Sequence, residues 1–290
     1  MAEATQTTGE VLHDLPEITY HAQTGLGEGL YVTRSMICDY LESPRGFYLR
    51  HMQRVPEAAK DWSRSLNLGS VVDAILSGTT DLVQLAPEEH LTPSGLLSTK
   101  KATQIYLDEQ GALGITVCDL KTWELGQLLA READRHPICK RLIERTSAHQ
   151  VTLRWTDPKT GLRLQTRPDR LAGGLCWADD KTTRKPLRSF MSAVAEYGYD
   201  IQQVMAMDGA AACGLEPLPF CFLVLQTTYP FDVAVMRLPQ RVVENAYARL
   251  HRALAGISAQ EFGTADLDLR EVDTPFWWSA QFETMEGGAA

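Results

Sequence analysis

The spacing of apolar residues changes character at Val151. Before it they recur every three or four positions, as on helix faces; after it they alternate, as on strands. Met36, Ile37, Tyr40 and Leu41 share one face of a helix predicted over Val32 to Met52, interrupted at Ser43-Pro44 and followed by the aromatic pair Phe47 and Tyr48. A second helix is predicted from Leu66 to Ser77, with Gly78 past its end. Residues 79–100 are rich in Thr, Pro and Ser and predict a loop, and 101–146 predict charged helices. Val151, Leu153 and Trp155 then alternate with Thr152, Arg154 and Thr156, the pattern of a half-buried strand. Asp157 to Gly161 is turn chemistry, and Leu162 to Arg167 returns antiparallel. After Ala172-Gly-Gly174 a third strand runs from Leu175 to Asp179, which predicts a meander with Asp169 and Asp179 near two strand ends.

Residues 187–212 predict a helix broken near Gly198. The unbroken apolar run Phe220 to Leu225 predicts a strand buried on both faces. Val233, Val235 and Leu238 predict a strand, and Pro239 opens a helix with Val243, Tyr247, Leu250 and Leu254 on one face. The order of elements predicts an α/β fold: a mixed central sheet flanked by helices, with an N-terminal helical elaboration. The expected organisation is a flexible segment over 1–15, one domain over 16–256 (helical elaboration 30–146, sheet core 151–256), and a C-terminal extension over 257–290.

Composition changes this picture little. No apolar run approaches bilayer length, and the N-terminus lacks a basic and apolar leader pattern, so a cytoplasmic protein without a membrane partner is expected. Six scattered cysteines, none spaced as C-x-x-C, argue against a disulfide frame, a zinc knuckle or an iron–sulfur cluster. The formal net charge of -9 excludes a simple basic nucleic-acid coat. It does not exclude an enzyme acting on nucleic acid, because local distribution outweighs the sum.

The candidate chemistry lies in Arg167-Pro168-Asp169 and Asp179-Asp180-Lys181. Phosphodiester cleavage calls for a hard cation, and magnesium is typically held by one or two carboxylates plus water and substrate phosphate. Asp169 and Asp179, on neighbouring strands, can supply those carboxylates. Lys181 lies two residues past Asp179, hence on the same strand face. Asp180 points the other way, but its backbone carbonyl can complete the metal site. Arg154, Arg163, Arg167, Arg170, Arg184, Lys185 and Arg188 surround the motif, and Thr182 and Thr183 offer hydroxyls to phosphate. A solvated strand face accounts equally well for alternating arginines, and either short motif alone is more often a turn or surface charge than a site.

Four segments taken together, LQTRPDRL, WADDKTTRKP, EYGYDIQQVMAMDGA and TTYPFDVAVMRL, resemble the exonuclease VIII (RecE-type) family of phage recombination nucleases. HDLPEITYHA and YLESPRGFYLRHM resemble its opening, so the likeness runs over roughly residues 12–255. The resemblance implies a PD-(D/E)XK fold and a DNA exonuclease that degrades one strand of linear duplex. It implies magnesium as cofactor, with manganese substituting. It also implies duplex DNA ends as substrate, a single-strand annealing protein as partner, and a homo-oligomer. Asp169, Asp179 and Lys181 fall on the family's catalytic positions, and Gln202 on the glutamine that orients the lysine or meets the DNA backbone. Gly69 to Asp73 matches a Gly-x-x-x-His helix motif whose histidine ligates metal, so Asp73 replaces that histidine with a hard oxygen ligand that suits magnesium at least as well as imidazole does. Ala206 stands where the family often has an aromatic residue. Arg167, Arg170, Thr182, Thr183, Arg184 and Lys185 are the candidate DNA contacts. Pro275 to Trp278 is a candidate subunit contact, and Trp62, Trp277 and Trp278 are candidate stacking residues. The alternatives are a restriction-like or structure-specific endonuclease on the same core, and a DNA-binding module with a decayed site.

Overall fold

A computed structural model describes residues 9–55 and 64–263. Trp62 and the segment Pro275 to Trp278 lie outside the described residues. The elements run β1 (Gly9–Leu12), α1 (Glu17–Ala22), α2 (Arg34–Glu42), α3 (Pro44–Phe47), α4 (Arg64–Ser77), β2 (Val83–Leu85), α5 (Lys101–Ala112), β3 (Thr116–Cys118), α6 (Leu120–Arg135) and α7 (Pro137–Glu144). They continue β4 (Thr146–His149), β5 (Thr152–Thr156), β6 (Arg163–Thr166), β7 (Arg170–Ala172), β8 (Cys176–Thr183), α8 (Phe190–Tyr197), α9 (Tyr199–Ala212), β9 (Phe220–Gln226), β10 (Val233–Met236) and α10 (Gln240–Ser258). The α/β class and the helical elaboration are as the sequence predicts.

The expected meander does not form. β5 and β6 pair antiparallel, Leu153 opposite Thr166, but in a separate three-stranded sheet of order β1-β5-β6. At Arg167-Pro168-Asp169 the chain leaves that sheet and enters a five-stranded one of order β10-β9-β8-β7-β4. Pro168, without an N–H, cannot continue the first ladder. Asp169 therefore precedes β7, and β7 pairs antiparallel with β8 across the Gly173-Gly174 turn. β8 and β9 are parallel, with Asp179 opposite Phe222 and Lys181 opposite Val224, and α8 and α9 form the crossover between them. β2, β3 and β7 have three residues each, too few to show a period. β1 falls within the segment expected to be flexible, where it pairs with β5.

Alternation along the five-stranded sheet builds two cores. Trp177, Phe220, Phe222 and Val224 face α2, α8, α9 and α10. Cys176, Ala178, Cys221, Leu223 and Leu225 face α4, α6 and α7. β5 is buried on both faces, not half-buried, because α9 packs over the second sheet as well. Gly209 permits that approach, since a Cβ there would lie 2.9 Å from the Trp155 ring. The α8–α9 break falls at Gly198, whose φ of +65° suits glycine. Met205 and Ala206 are fully buried in the first core. α10 runs past residue 256, and Phe262 stacks on Phe47 with centroids 5.7 Å apart, so the first residues of the expected extension belong to the core.

Candidate active site

β8 sorts its motif by parity. Asp179 and Lys181 point to the α9 side and Asp180 to the α4 side, as period two requires. The Lys181 ammonium contacts Asp179 Oδ2, and Gln202 Nε2 on α9 donates to Asp179 Oδ1 at 2.6 Å. Lys181 Nζ also lies 4.7 Å from the centre of the Tyr199 ring, a cation–π contact. Asp169 accepts the backbone N–H of Asp180 on Oδ2 at 2.8 Å. The sheet switch thus brings Asp169 beside the strand that carries Asp179.

Asp73 approaches from α4, through the helix face that packs on β8. Gln150 Nε2 donates to its Oδ2 at 2.7 Å, while its Oδ1 is buried with no hydrogen-bond partner. Burial, then the nearby Asp180 carboxylate, pushes Asp73 up to about 6, against the pull of Arg170 and Gln150. Burial also raises Asp169 well above the ordinary carboxylate value, reinforced by Asp179 and Asp73. For Lys181, burial opposes the charge, but Asp179 and Asp169 outweigh it and raise the ammonium above an ordinary lysine. Asp73, Asp169 and Asp179 therefore feel one another's charge, with one lysine among them.

Among the described residues no three His, Cys, Asp or Glu side chains form a group that could hold a metal ion. The donor set still fits a hard divalent cation, which needs only one or two carboxylates beside water and phosphate. The buried, unpaired Asp73 Oδ1 is the observation that supports this fit, since such a group ordinarily has a partner. Asp169 and Asp179 would hold the ion, and Asp73, with its free Oδ1, would become a third ligand only by moving closer to them.

Several expected site residues have other employment. Asp180 is expected to offer a metal its backbone carbonyl and to turn its carboxylate away, and that carboxylate is held by Arg170, whose Nε lies 3.0 Å from both oxygens and Nη2 2.6 Å from Oδ2. Arg170 is completely buried, so it is no DNA contact. Arg154 is buried too, hydrogen-bonded to Gln165 and stacked over Tyr31. Arg163 also lies over the Tyr31 ring and donates to the Tyr31 hydroxyl. Arg167 is half-buried, donates to Thr152 Oγ1 and Leu15 O at 2.8 Å each, and lies over the Tyr20 ring. Thr183 accepts the Lys185 N–H on its hydroxyl at 3.1 Å, and Thr182 is half-buried on β8. Arg184, Lys185 and Arg188 are exposed beyond the end of β8. Pairing with neighbouring strands and with more distant segments decides the fates of these arginines, and alternation along one strand does not reveal it.

Gln150, Tyr199, Tyr20 and Arg34 were not expected at the site. Tyr199 lies inside the EYGYDIQQ segment, so its place was open to view. Tyr20 is pushed up to about 12 chiefly by burial, and both Arg34 and Asp179 act on it. Arg34 donates to Tyr197 O at 2.8 Å and sits 6.0 Å from the Tyr199 ring. A depression of about 570 Å³ lined by Ile75, Gln127, Ala130, Arg131, Asp134 and Arg135 contains none of these residues.

The PD-(D/E)XK nuclease superfamily matches residues 32–267, and the chain belongs to that superfamily. It is a nuclease by family, and such nucleases generally use divalent metal ions. A crystal structure of a protein from Eubacterium rectale named "Putative exonuclease" superposes with a TM-score of 0.57 at 14% identity, covering 96% of this chain and 99% of that one. At that identity the likeness shows the fold. A search of curated proteins finds no match. No helix among the described residues is long and apolar enough to cross a membrane.

Proposed function

We propose that this protein is a magnesium-dependent DNA exonuclease that degrades one strand of linear duplex from an end. The observation that carries the reading is the meeting of Asp169, Asp179, Lys181 and Gln202 at the junction of two sheets. A bound divalent cation supplies Lewis-acid polarisation of the phosphate and an acidified water. Asp169 and Asp179 hold it. Lys181, charged at neutral pH, donates to a phosphate oxygen or orients the attacking water. Gln202 and Tyr199 fix where Asp179 and Lys181 sit. Manganese, with similar oxygen preference, substitutes for magnesium.

DNA reaches this site past the end of β8. Arg184 lies three residues beyond Lys181, about 10 Å along an extended strand. Its loop is tied to the β9–β10 loop, since Thr228 Oγ1 donates to Arg184 O at 3.0 Å and Thr227 N to Thr183 O at 2.8 Å. Tyr229, on that second loop, is 86% exposed. Exposed cations beside an exposed aromatic suit a strand whose phosphates and bases are both contacted.

The exonuclease mode is supported by the motif likeness to the exonuclease VIII family and by the name of the Eubacterium rectale protein. A role in phage-type recombination, a single-strand annealing partner and a ring-like homo-oligomer rest on the motif likeness. The test is end-labelled linear duplex with magnesium beside closed-circular DNA. Release of terminal nucleotides with the circle untouched supports the reading; linearised circles replace it with an endonuclease.

A further inference from the structure

We infer that Gln150 is a positioning residue that sets the metal ligand Asp73, an inference that rests on the nuclease reading above. An aspartate at this position has two equivalent oxygens and can turn about its last torsion. Gln150 Nε2 takes Oδ2 at 2.7 Å, and this leaves Oδ1, buried and unpaired, as the free lone-pair donor. A ligand fixed by an outer hydrogen bond loses less freedom when the ion binds.

The backbone of Gln150 is part of the device. Its φ is +48°, left-handed for a residue with a side chain. Such a conformation persists only where surroundings impose it. Here the Gln150 N–H donates to Asp169 O at 2.9 Å. Gln150 and Val151 are also the whole link between β4, in the five-stranded sheet, and β5, in the three-stranded one. One residue therefore ties Asp73 through its side chain and Asp169 through its main chain. It joins α4, the sheet junction and the carboxylates in a fixed relation. The 77-residue separation of Gln150 from Asp73 hides this from any local motif.

The experiment compares wild type, Gln150→Gly, Asp73→Ala and the double variant by calorimetric titration with manganese, alongside magnesium dependence of cleavage. Glycine accepts the left-handed backbone, so Gln150→Gly removes the amide without adding strain. We expect its metal dissociation constant to rise about 10–100-fold. Cleavage at saturating magnesium recovers while the magnesium midpoint moves up. In the Asp73→Ala background, which has no acceptor for the amide, Gln150→Gly adds no further loss, because the two act through one contact. Unchanged metal affinity in Gln150→Gly, or an equal loss with and without Asp73, overturns the inference and leaves the nuclease reading standing. Wild-type protein that binds no divalent ion overturns both.

Discussion

Gln202 and Lys181 grip one carboxylate from two sides: the amide of Gln202 takes Asp179 Oδ1 at 2.6 Å, and the lysine ammonium contacts Oδ2. The two partners come from α9 and β8, so a helix and a strand jointly set the plane of Asp179. Gln202 Oε1 is buried without a donor, which leaves it free to accept from a bound water. Replacing Gln202 with alanine is expected to lower cleavage about 10–100-fold. Circular dichroism and thermal unfolding should stay near wild type. An undiminished rate would reduce Gln202 to a packing residue.

Removing the central groups should have a larger effect. Asp169→Asn, Asp179→Asn and Lys181→Ala are each expected to lower kcat at least about 100–1,000-fold, the scale of losing one electrostatic stabiliser. The asparagine variants should also weaken manganese binding, while Lys181→Ala should spare it. Binding of duplex in calcium separates lost chemistry from lost affinity. Should Asp179→Asn turn over at the wild-type rate, the site lies elsewhere.

Arg170 and Asp180 form a structural pair. Both side chains are nearly inaccessible, at 0% and 6% exposure, and Arg170 Nη1 also reaches Leu76 O on α4 at 3.5 Å. Removing one partner of a buried pair strands the other charge, at about 3–5 kcal/mol. Arg170→Ala should therefore lower urea stability by about that amount. Arg170→Met with Asp180→Leu should be much milder, since replacing both with apolar groups leaves no bare charge. A stable Arg170→Ala protein with impaired DNA affinity is the contrary result.

Much of the site was legible because its core is local. The spacing of Asp179 and Lys181 fixes their common face, and the parity that puts Asp180 opposite follows from the same period. The apolar run Phe220 to Leu225 likewise shows its double burial directly. What the sequence hides is the partner of each strand. The Leu162 to Arg167 strand looks continuous with the next, yet Pro168 moves the chain to another sheet, and that move brings Asp169 beside Asp180. Arginine shows the same limit. Arg154 and Arg170 read as exposed positions on a strand face, but the Tyr31 ring from a distant segment covers the first and Asp180 on the neighbouring strand pairs with the second.

The clustered carboxylates should make the metal-free protein sensitive to pH. An aspartate has an unfolded pKa of about 3.9. Asp73 in the fold is pushed up to about 6 and Asp169 is raised well above its ordinary value, both chiefly by burial. Over the window between the two values the folded state holds more protons than the unfolded chain. Stability therefore falls as pH rises from about 4 to about 6, and for Asp73 the loss is complete above that. A divalent ion that binds only the folded state should restore stability at neutral pH. Thermal unfolding across this range in EDTA and in magnesium checks both signs. A stability that rises from pH 4 to 6 without metal would count against carboxylate crowding.

The basic residues should divide into two groups when DNA binding is measured against salt. Arg184, Lys185 and Arg188 are exposed, whereas Arg154 and Arg170 are buried on protein partners. Lys185 faces Glu196 at 3.4 Å, but both are about half exposed, and a surface pair of that kind opposes DNA binding little. Each phosphate contact contributes about 0.9 to the log–log salt slope on duplex DNA. Arg184→Ala and Lys185→Ala are expected to flatten the slope by about that amount apiece, whereas Arg154→Met should leave it unchanged. Tyr229, an exposed aromatic, is expected to meet a base face, not a phosphate. Tyr229→Ala should weaken binding to a DNA end with a single-stranded tail by about 1–3 kcal/mol, with the slope preserved. Calcium in place of magnesium keeps the substrate intact during these titrations. If Tyr229→Ala binds as wild type while Arg184→Ala does not, the strand follows the β8 loop alone. If neither changes affinity or slope, DNA enters by another face.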